Sequence, residues 1–215
     1  MKTKQTDFWS GEFGKEYTDR NSYSDESWDD FYRANWGATK TEMNEECLEG
    51  ISKEARILEV GCNMGLQLRG FQRMGFTKLY GIELQQYAVN RAHEWLKDVN
   101  IIQGSGFDIP FRDGFFDVVC TNGVLIHIAP SDYDKIMGEM YRCSARYIMG
   151  FEYYSDSLIE IPYRGNKGYL WKADFAAEFI KRFPDLKLVR RKLYPYFNQA
   201  ESGNTDYTYL LEKTK

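Results

Sequence analysis

Two carboxylates that flank a glycine turn are the most chemically suggestive feature of the 215-residue chain. In "ILEVGCNMGLQLRGF", Ile57 to Phe71, Glu59 stands two residues before Gly61, and Gly65 follows with Asn63 between them. The apolar run before the glycines reads as a strand and the residues after them as a helix. A dinucleotide site needs G-x-G-x-x-G, so that a pyrophosphate can approach the backbone at a helix N-terminus. Here Asn63 stands near the place of the middle glycine, and the Glu59 carboxylate would repel a pyrophosphate. It suits an ammonium or sulfonium group instead. No G-K-[ST] follows, which excludes a P-loop. Glu83 closes the next strand, "LYGIEL", with Leu84 beside it. An acid there is placed to accept hydrogen bonds from both hydroxyls of a ribose. A nucleoside with a positive group and no required phosphate is S-adenosylmethionine, whose demethylated product is S-adenosylhomocysteine. The alternative is a strand-turn-helix in which Glu59 is a solvated cap.

Further candidates fall at the ends of later strands. In "IIQGSGFDIPF", Ser105 and the backbone at Gly106–Phe107 could read an adenine edge, and Phe107 either packs on the adenine face or belongs to the core. Asn122 ends the fourth strand and His127 follows it in "NGVLIHI". Methyl transfer from a sulfonium is an in-line displacement that depends on holding nucleophile, carbon and sulfur collinear. Such positioning contributes ~7–11 kcal/mol in favourable cases, and no metal is required. An oxygen acceptor must lose its proton, and His127 is a candidate base; otherwise it is a helix-start histidine with a backbone contact. Tyr17, Arg20 and Asn21 in "EYTDRN" are the N-terminal candidates, Tyr17 for catalysis. The segment "FEYYSDSLIEIPYRGNKGYLWK" gathers Tyr153, Tyr154, Glu160, Tyr163, Arg164 and Lys172. It reads either as an acceptor-binding loop for a polar, anionic or glycan-like molecule or as a packed insertion.

The elements that must position these residues can be read from apolar periodicity. Residues 1–50 are polar and aromatic, with helices expected around Ser27–Asn35 and Lys40–Ile51, and form an N-terminal helical cover. From 51 to 215 a single α/β domain is expected. "RILEVG", "KLYGIEL", "NIIQG", "FFDVVCTNG" and "RYIMGFEYY" alternate with helical segments, which predicts βαβ units and a parallel sheet. A helix is expected from about Lys172 to Phe183, stopped by Pro184. "LKLVRRKLYP" and "DYTYLLEK" are joined without a helix, so they should pair antiparallel. The predicted fold is a Rossmann-like, doubly wound, seven-stranded sheet, mostly parallel with the last strand antiparallel.

Composition narrows the function classes. The net charge of −4 and the absence of a long Lys/Arg block give no nucleic-acid footprint. The fourth strand is followed by "TNGV" rather than the [DN]-P-P-[YF] loop of amino-methylating DNA enzymes. No apolar run is long enough to span a bilayer. Cys47, Cys62, Cys120 and Cys143 are scattered, and there are two histidines, so neither a disulfide framework nor a metal site is expected. A cytoplasmic protein with reduced thiols follows; its oligomeric state is left open. Rival readings are a nucleic-acid methyltransferase, a nicotinamide oxidoreductase and a non-catalytic cofactor-binding protein.

"LEVGCNMG", "LYGIEL" and "IPFRDGFFDVVCTNGVLIHI" resemble the successive motifs of class I S-adenosylmethionine-dependent methyltransferases over about residues 55–150. The resemblance implies cofactor roles for Glu59, Gly61, Gly65, Glu83 and Ser105. Asn63 departs from it, since many members carry Gly there, and its side chain could bond the methionine end. A narrower resemblance spans nearly the whole chain. "FWSGEFGKEYTDRNS", "GVLIHI", "YRCSARYIMGFEYY", "EIPYRG" and "DFAAEF" look like the pseudaminic acid biosynthesis-associated methylases. That likeness implies a small-molecule or glycan-precursor acceptor in bacterial surface-glycan biosynthesis. It also implies an N-terminal segment folded over the cofactor, in which Arg20 would pair with the methionine carboxylate.

Overall fold

The computed structural model describes residues 2–197 and 203–214. Four helices precede the first strand: α1 (Lys4–Ser10), α2 (Glu12–Arg20), α3 (Asp25–Trp36) and α4 (Lys40–Cys47). Capping boxes at Thr3, Ser24 and Thr39 start α1, α3 and α4, satisfying N–H groups that a helix end leaves bare. The alternating section follows as β1 (Arg56–Val60), α5 (Leu66–Arg73), β2 (Lys78–Glu83), α6 (Gln86–Trp95), β3 (Asn100–Gln103) and β4 (Phe116–Asn122). Two 3-10 turns, Leu125–His127 and Pro130–Asp132, lead into α7 (Tyr133–Cys143) and β5 (Ser144–Tyr153). A short hairpin, β6 (Ile159–Glu160) with β7 (Trp171–Lys172), precedes α8 (Phe175–Arg182), β8 (Leu186–Pro195) and β9 (Thr205–Lys213).

The sheet has seven strands in the order β3-β2-β1-β4-β5-β9-β8. β9 runs antiparallel to both of its neighbours and the other pairs are parallel. The expected fold class is therefore present. The strand order reverses between β1 and β4, which opens a crevice at their carboxyl ends. β4 shows why a parallel sheet needs two helical layers. Val119 packs with Met137, Met140 and Phe179 on one side, while Val118 and Cys120 pack with Phe71, Leu79 and Val89 on the other.

Some local expectations are corrected. The helix expected from Lys172 starts at Phe175, because the Asp174 side chain accepts the Ala177 N–H and Trp171–Lys172 is extended against Ile159–Glu160. The helix expected to reach Ile51 ends at Cys47, and the chain then turns through Gly50 at φ +76°. α1 and α2 carry no clean apolar stripe and were not expected; their rings pack on one another, Phe8 on Phe13 and Trp9 on Phe13 and Tyr17, and also on the rest of the protein, Phe8 on Tyr169 and Trp9 on His127.

The cover is held by rings more than by charges. Trp28, Tyr32, Trp36 and Met43 form one buried cluster with Phe151 of β5 and Tyr194 of β8. Burying each such side chain is worth about 1.5–3 kcal/mol. The ion pairs Arg69–Asp25 at 3.0 Å and Arg73–Asp29 at 3.1 Å are partly exposed and worth roughly 0–1 kcal/mol each. At one point the packing leaves no room for a methyl group. A Cβ on Gly150 of β5 would lie 2.3 Å from Tyr209 Cζ, and Tyr209 is itself fully buried. Gly150→Ala should lower stability by about 1–3 kcal/mol or more, read as an earlier midpoint in urea with an unchanged slope.

Charged groups also lie between cover and sheet. Lys40, Glu59, Glu152 and Asp206 are each at most 3% exposed. Burial raises Glu152 to about 7 and Asp206 to about 8, and it raises Glu59 well above the usual carboxylate range. The folded chain thus binds protons that the unfolded chain has released above the ordinary carboxylate values, so this contribution to stability is lost as pH rises through about 5 to 8. His127, lowered to about 4 by burial, opposes the trend only below its ordinary value near 6.5, and Lys40, lowered to about 7, opposes it only above 7. The melting temperature should fall between pH 5 and 7, on the order of 5 °C, and Glu152→Gln should flatten that slope in a differential scanning series.

Candidate functional site

A cleft of about 330 Å³ opens at the carboxyl ends of β1, β2 and β4. Its floor is the turn after β1, where Gly61, Asn63 and Gly65 have φ of +74°, +47° and +82°. Asn63 occupies the left-handed region that Asn tolerates better than most side chains, which accounts for an asparagine in place of a glycine. Its Oδ1 accepts the Met64 N–H at 2.6 Å, so that oxygen is turned back into the loop. Gly61 and Gly65 also need the space a hydrogen leaves. A Cβ would come within 2.7 Å of Val124 Cγ2 at the first and 2.4 Å of Leu96 Cδ1 at the second. Glu83 holds the turn from the neighbouring strand: one oxygen accepts the Asn63 N–H at 2.8 Å and the other the Gln85 N–H at 2.8 Å. A carboxylate can accept about four hydrogen bonds, so capacity is left for a ligand hydroxyl.

Glu59 lines the same cleft, 3% exposed, and its Oε2 has no hydrogen-bond partner among the described residues. Burial raises it, the neighbouring Glu83 raises it further, and Lys40 lowers it. A buried carboxylate oxygen facing a cavity is costly without a partner, and a cationic ligand end would supply one. Leu84, Ser105, Gly106, Phe107 and Asn122 line the cleft as well. Ser105 Oγ accepts the Phe107 N–H at 3.2 Å and so shapes the β3 turn. Phe107 is 3% exposed and packs in the core, as one of its two readings had it, and it also lines the cleft. Lys40 Nζ donates to Asn122 Oδ1 at 2.9 Å.

His127 and Tyr17 both line the cleft. His127 Nδ1 lies 2.7 Å from the Tyr169 carbonyl oxygen. A carbonyl only accepts, so Nδ1 carries the proton and Nε2 is the accepting nitrogen. Glu152 fixes the turn that carries this imidazole, because its carboxylate accepts the N–H groups of Val124 and Leu125 at 3.2 Å and of Ile126 at 3.3 Å. The Trp9 ring lies 4.7 Å from the His127 ring and 5.2 Å from that of Tyr17, closing an aromatic roof over the cleft. Burial raises the Tyr17 hydroxyl far above its ordinary value, with Tyr163 adding to the effect, so it stays protonated and acts as a donor.

Other expected residues do not reach the cleft. Arg20 pairs with Glu16 at 3.3 Å on its own helix and lies over the Phe13 ring, so its guanidinium does not line the cavity; the i, i+4 partner takes it to the outer face. Tyr154 bonds Asp156, lies under the Arg191 guanidinium and is not among the cleft-lining residues. Arg164 is exposed at φ +48° in a tight turn, and Lys172 bonds Asn204 and lies over the Tyr153 ring. Tyr153 contacts the Tyr196 hydroxyl. Of that segment Tyr163 comes nearest, its ring 4.8 Å from that of His127. Residues that sequence reasoning missed are Trp9 and Tyr32, which line the cleft, and Lys40 behind it. The density of rings in residues 1–40 was the available signal. Among the described residues no group of three or more His, Cys, Asp or Glu could hold a metal.

Comparison with known proteins agrees with this geometry. Residues 58–146 match a family model described as a methyltransferase domain. A methyltransferase of Schizosaccharomyces pombe, C1B3.06c, is 31% identical over 93 residues, covering 38% of this chain and 34% of that protein. The glycine/sarcosine/dimethylglycine N-methyltransferase of Actinopolyspora halophila is 26% identical over 151 residues, covering 59% of this chain and 26% of that protein. The chain therefore spans about a third or less of the length of these curated relatives. Magnesium protoporphyrin IX methyltransferase (ChlM) of Synechocystis PCC 6803, solved with bound SAM, superposes with a TM-score of 0.68 at 10% identity, covering 99% of each chain, and shares the fold. With its strand order, its acidic glycine turn and the matched residues 58–146, the chain carries a methyltransferase domain of the class I, S-adenosylmethionine-dependent type.

Proposed function

We propose that the chain transfers a methyl group from S-adenosylmethionine to a small, uncharged or amine-bearing acceptor held beside His127. The observation that carries this reading is the cleft itself. Glu59, whose buried Oε2 is unpartnered, and Glu83 both line it, and no Lys or Arg is among the described residues that line it. Glu83 would hold the ribose, the Ser105–Phe107 turn the adenine, and Glu59 the ammonium end. When bound, the cofactor supplies an electrophilic methyl group on a sulfonium. The chain's own part is to bind, orient and exclude water. Trp9, Tyr17 and Tyr32 roof the cleft, Tyr17 can donate a hydrogen bond to the acceptor, and His127 Nε2 can accept one from an acceptor hydroxyl or amine.

The acceptor class follows from the same inventory. Arg164 and Lys172, the cations that would have suited a phosphorylated precursor, lie outside the cleft lining. A neutral sugar-type acceptor stays within the glycan-precursor reading that the motif resemblance supports, and a small amine is the second reading. The latter is favoured by the two cleft carboxylates and by the amine substrates in the name of the halophile's enzyme.

Calorimetry tests the cofactor assignment: S-adenosylhomocysteine should bind and NAD should not, and Glu83→Ala should weaken binding about tenfold or more, the effect of about 1.4 kcal/mol. NAD binding without S-adenosylhomocysteine binding would refute it. For the acceptor side, His127→Gln should lower kcat while the S-adenosylhomocysteine Kd stays within about twofold. Because His127 is held near 4, its protonation removes activity only as pH approaches that value. A pH–rate profile with a His127-dependent inflection near 6.5 would contradict the lowering of this imidazole by burial.

A further inference from the structure

Lys40 is the second residue of the "TKTEM" stretch that starts α4, and it is fully buried. No carboxylate lies within 4 Å of its Nζ among the described residues; its one hydrogen bond goes to Asn122 Oδ1 at 2.9 Å, and the ammonium sits 3.6 Å above the Phe151 ring. Glu59 and Asp206 are near enough to act on it through space but do not contact it. A buried cation without a contacting counter-ion is expensive unless something else completes it. The completing groups point to the cleft. Asn122 lines the cavity, and with its Oδ1 taken by Lys40 its amide N–H group faces the other way, with the Tyr32 hydroxyl beside it. Tyr32 lines the cavity too. Arg20, the cation expected to meet a carboxylate, is paired with Glu16 instead.

We propose that Lys40, acting through Asn122 and the Tyr32 hydroxyl, is the positive end of a carboxylate-recognition site in the cleft, and that the carboxylate is the α-carboxylate at the amino-acid end of the cofactor. The inference rests on the reading of the cleft as an S-adenosylmethionine site. Glu59 and the Lys40 relay then give the cleft one acidic and one basic wall, matched to the two charges of an α-amino acid. Lys40 is a positioning residue: it orients the Asn122 amide and adds attraction that weak internal screening carries across one side chain.

The test is binding, measured by calorimetry with three ligands: S-adenosylhomocysteine, its decarboxylated analogue, which keeps the amine, and 5′-methylthioadenosine, which lacks both charges. Lys40→Met should weaken S-adenosylhomocysteine about tenfold or more and leave both other ligands within about twofold. Tyr32→Phe, which keeps the buried ring, should act in the same direction by a few-fold and carries the test alone if Lys40→Met does not fold, as checked by circular dichroism. Equal weakening of all three ligands would overturn the proposal in favour of a purely structural lysine, as would unchanged S-adenosylhomocysteine affinity in a folded variant. Failure of the wild-type protein to bind S-adenosylhomocysteine would instead overturn the functional reading on which the inference rests.

Discussion

The cleft depends on one carboxylate that joins two turns. Glu83 ends β2 and accepts the Asn63 N–H with one oxygen and the Gln85 N–H with the other. The first bond holds the β1 turn in its left-handed geometry and the second holds the entry to α6, so two loops that line the cleft share a single anchor. Charge-assisted bonds of this kind are roughly twice as strong as neutral ones. Asn63 persists at positive φ because this bond and its own bond to Met64 over-determine it.

The second organising constraint is the cost of burying charge. Lys40, Glu59, Glu152 and Asp206 lie where the N-terminal helices meet the sheet. Glu152 meets the cost with three backbone N–H groups. Glu59 and Lys40 meet it incompletely, and both adjoin the cleft. Groups left unpaired in a core are the natural places for a ligand to contribute, since the scaffold has already spent stability on them.

How much of this was legible in the sequence follows the range of the interactions. Glu59, Gly61, Gly65, Glu83, Ser105 and Asn122 each sit at a strand end, and parallel-sheet topology alone brings strand ends together. Period-2 and period-3.6 patterns therefore located them. The β8–β9 pair was equally legible, because a link without a helix permits only antiparallel pairing. The cover was not. α1 and α2 are short and mixed in polarity, and their rings find partners far along the chain, as Phe8 does with Tyr169. Arg20 lies outside the cleft lining for a local reason: three residues beyond Tyr17, it pairs with Glu16 one turn back. Lys40 was invisible because a lysine in a helix start ordinarily faces water, and only the packing of Trp28, Tyr32 and Trp36 on Phe151 seals it in.

The suspension of the His127 turn from Glu152 has a consequence for how such a protein can diversify. The imidazole's position is set by a carboxylate on β5, a central strand, rather than by the 154–170 segment that reaches over it. That segment touches His127 through one carbonyl and one ring, those of Tyr169 and Tyr163. The loop could therefore change in length or composition while the accepting nitrogen of His127 keeps its place relative to the β1 turn. The position of the imidazole is thus carried by the sheet, and the segment above it adds two contacts to a turn that is already fixed.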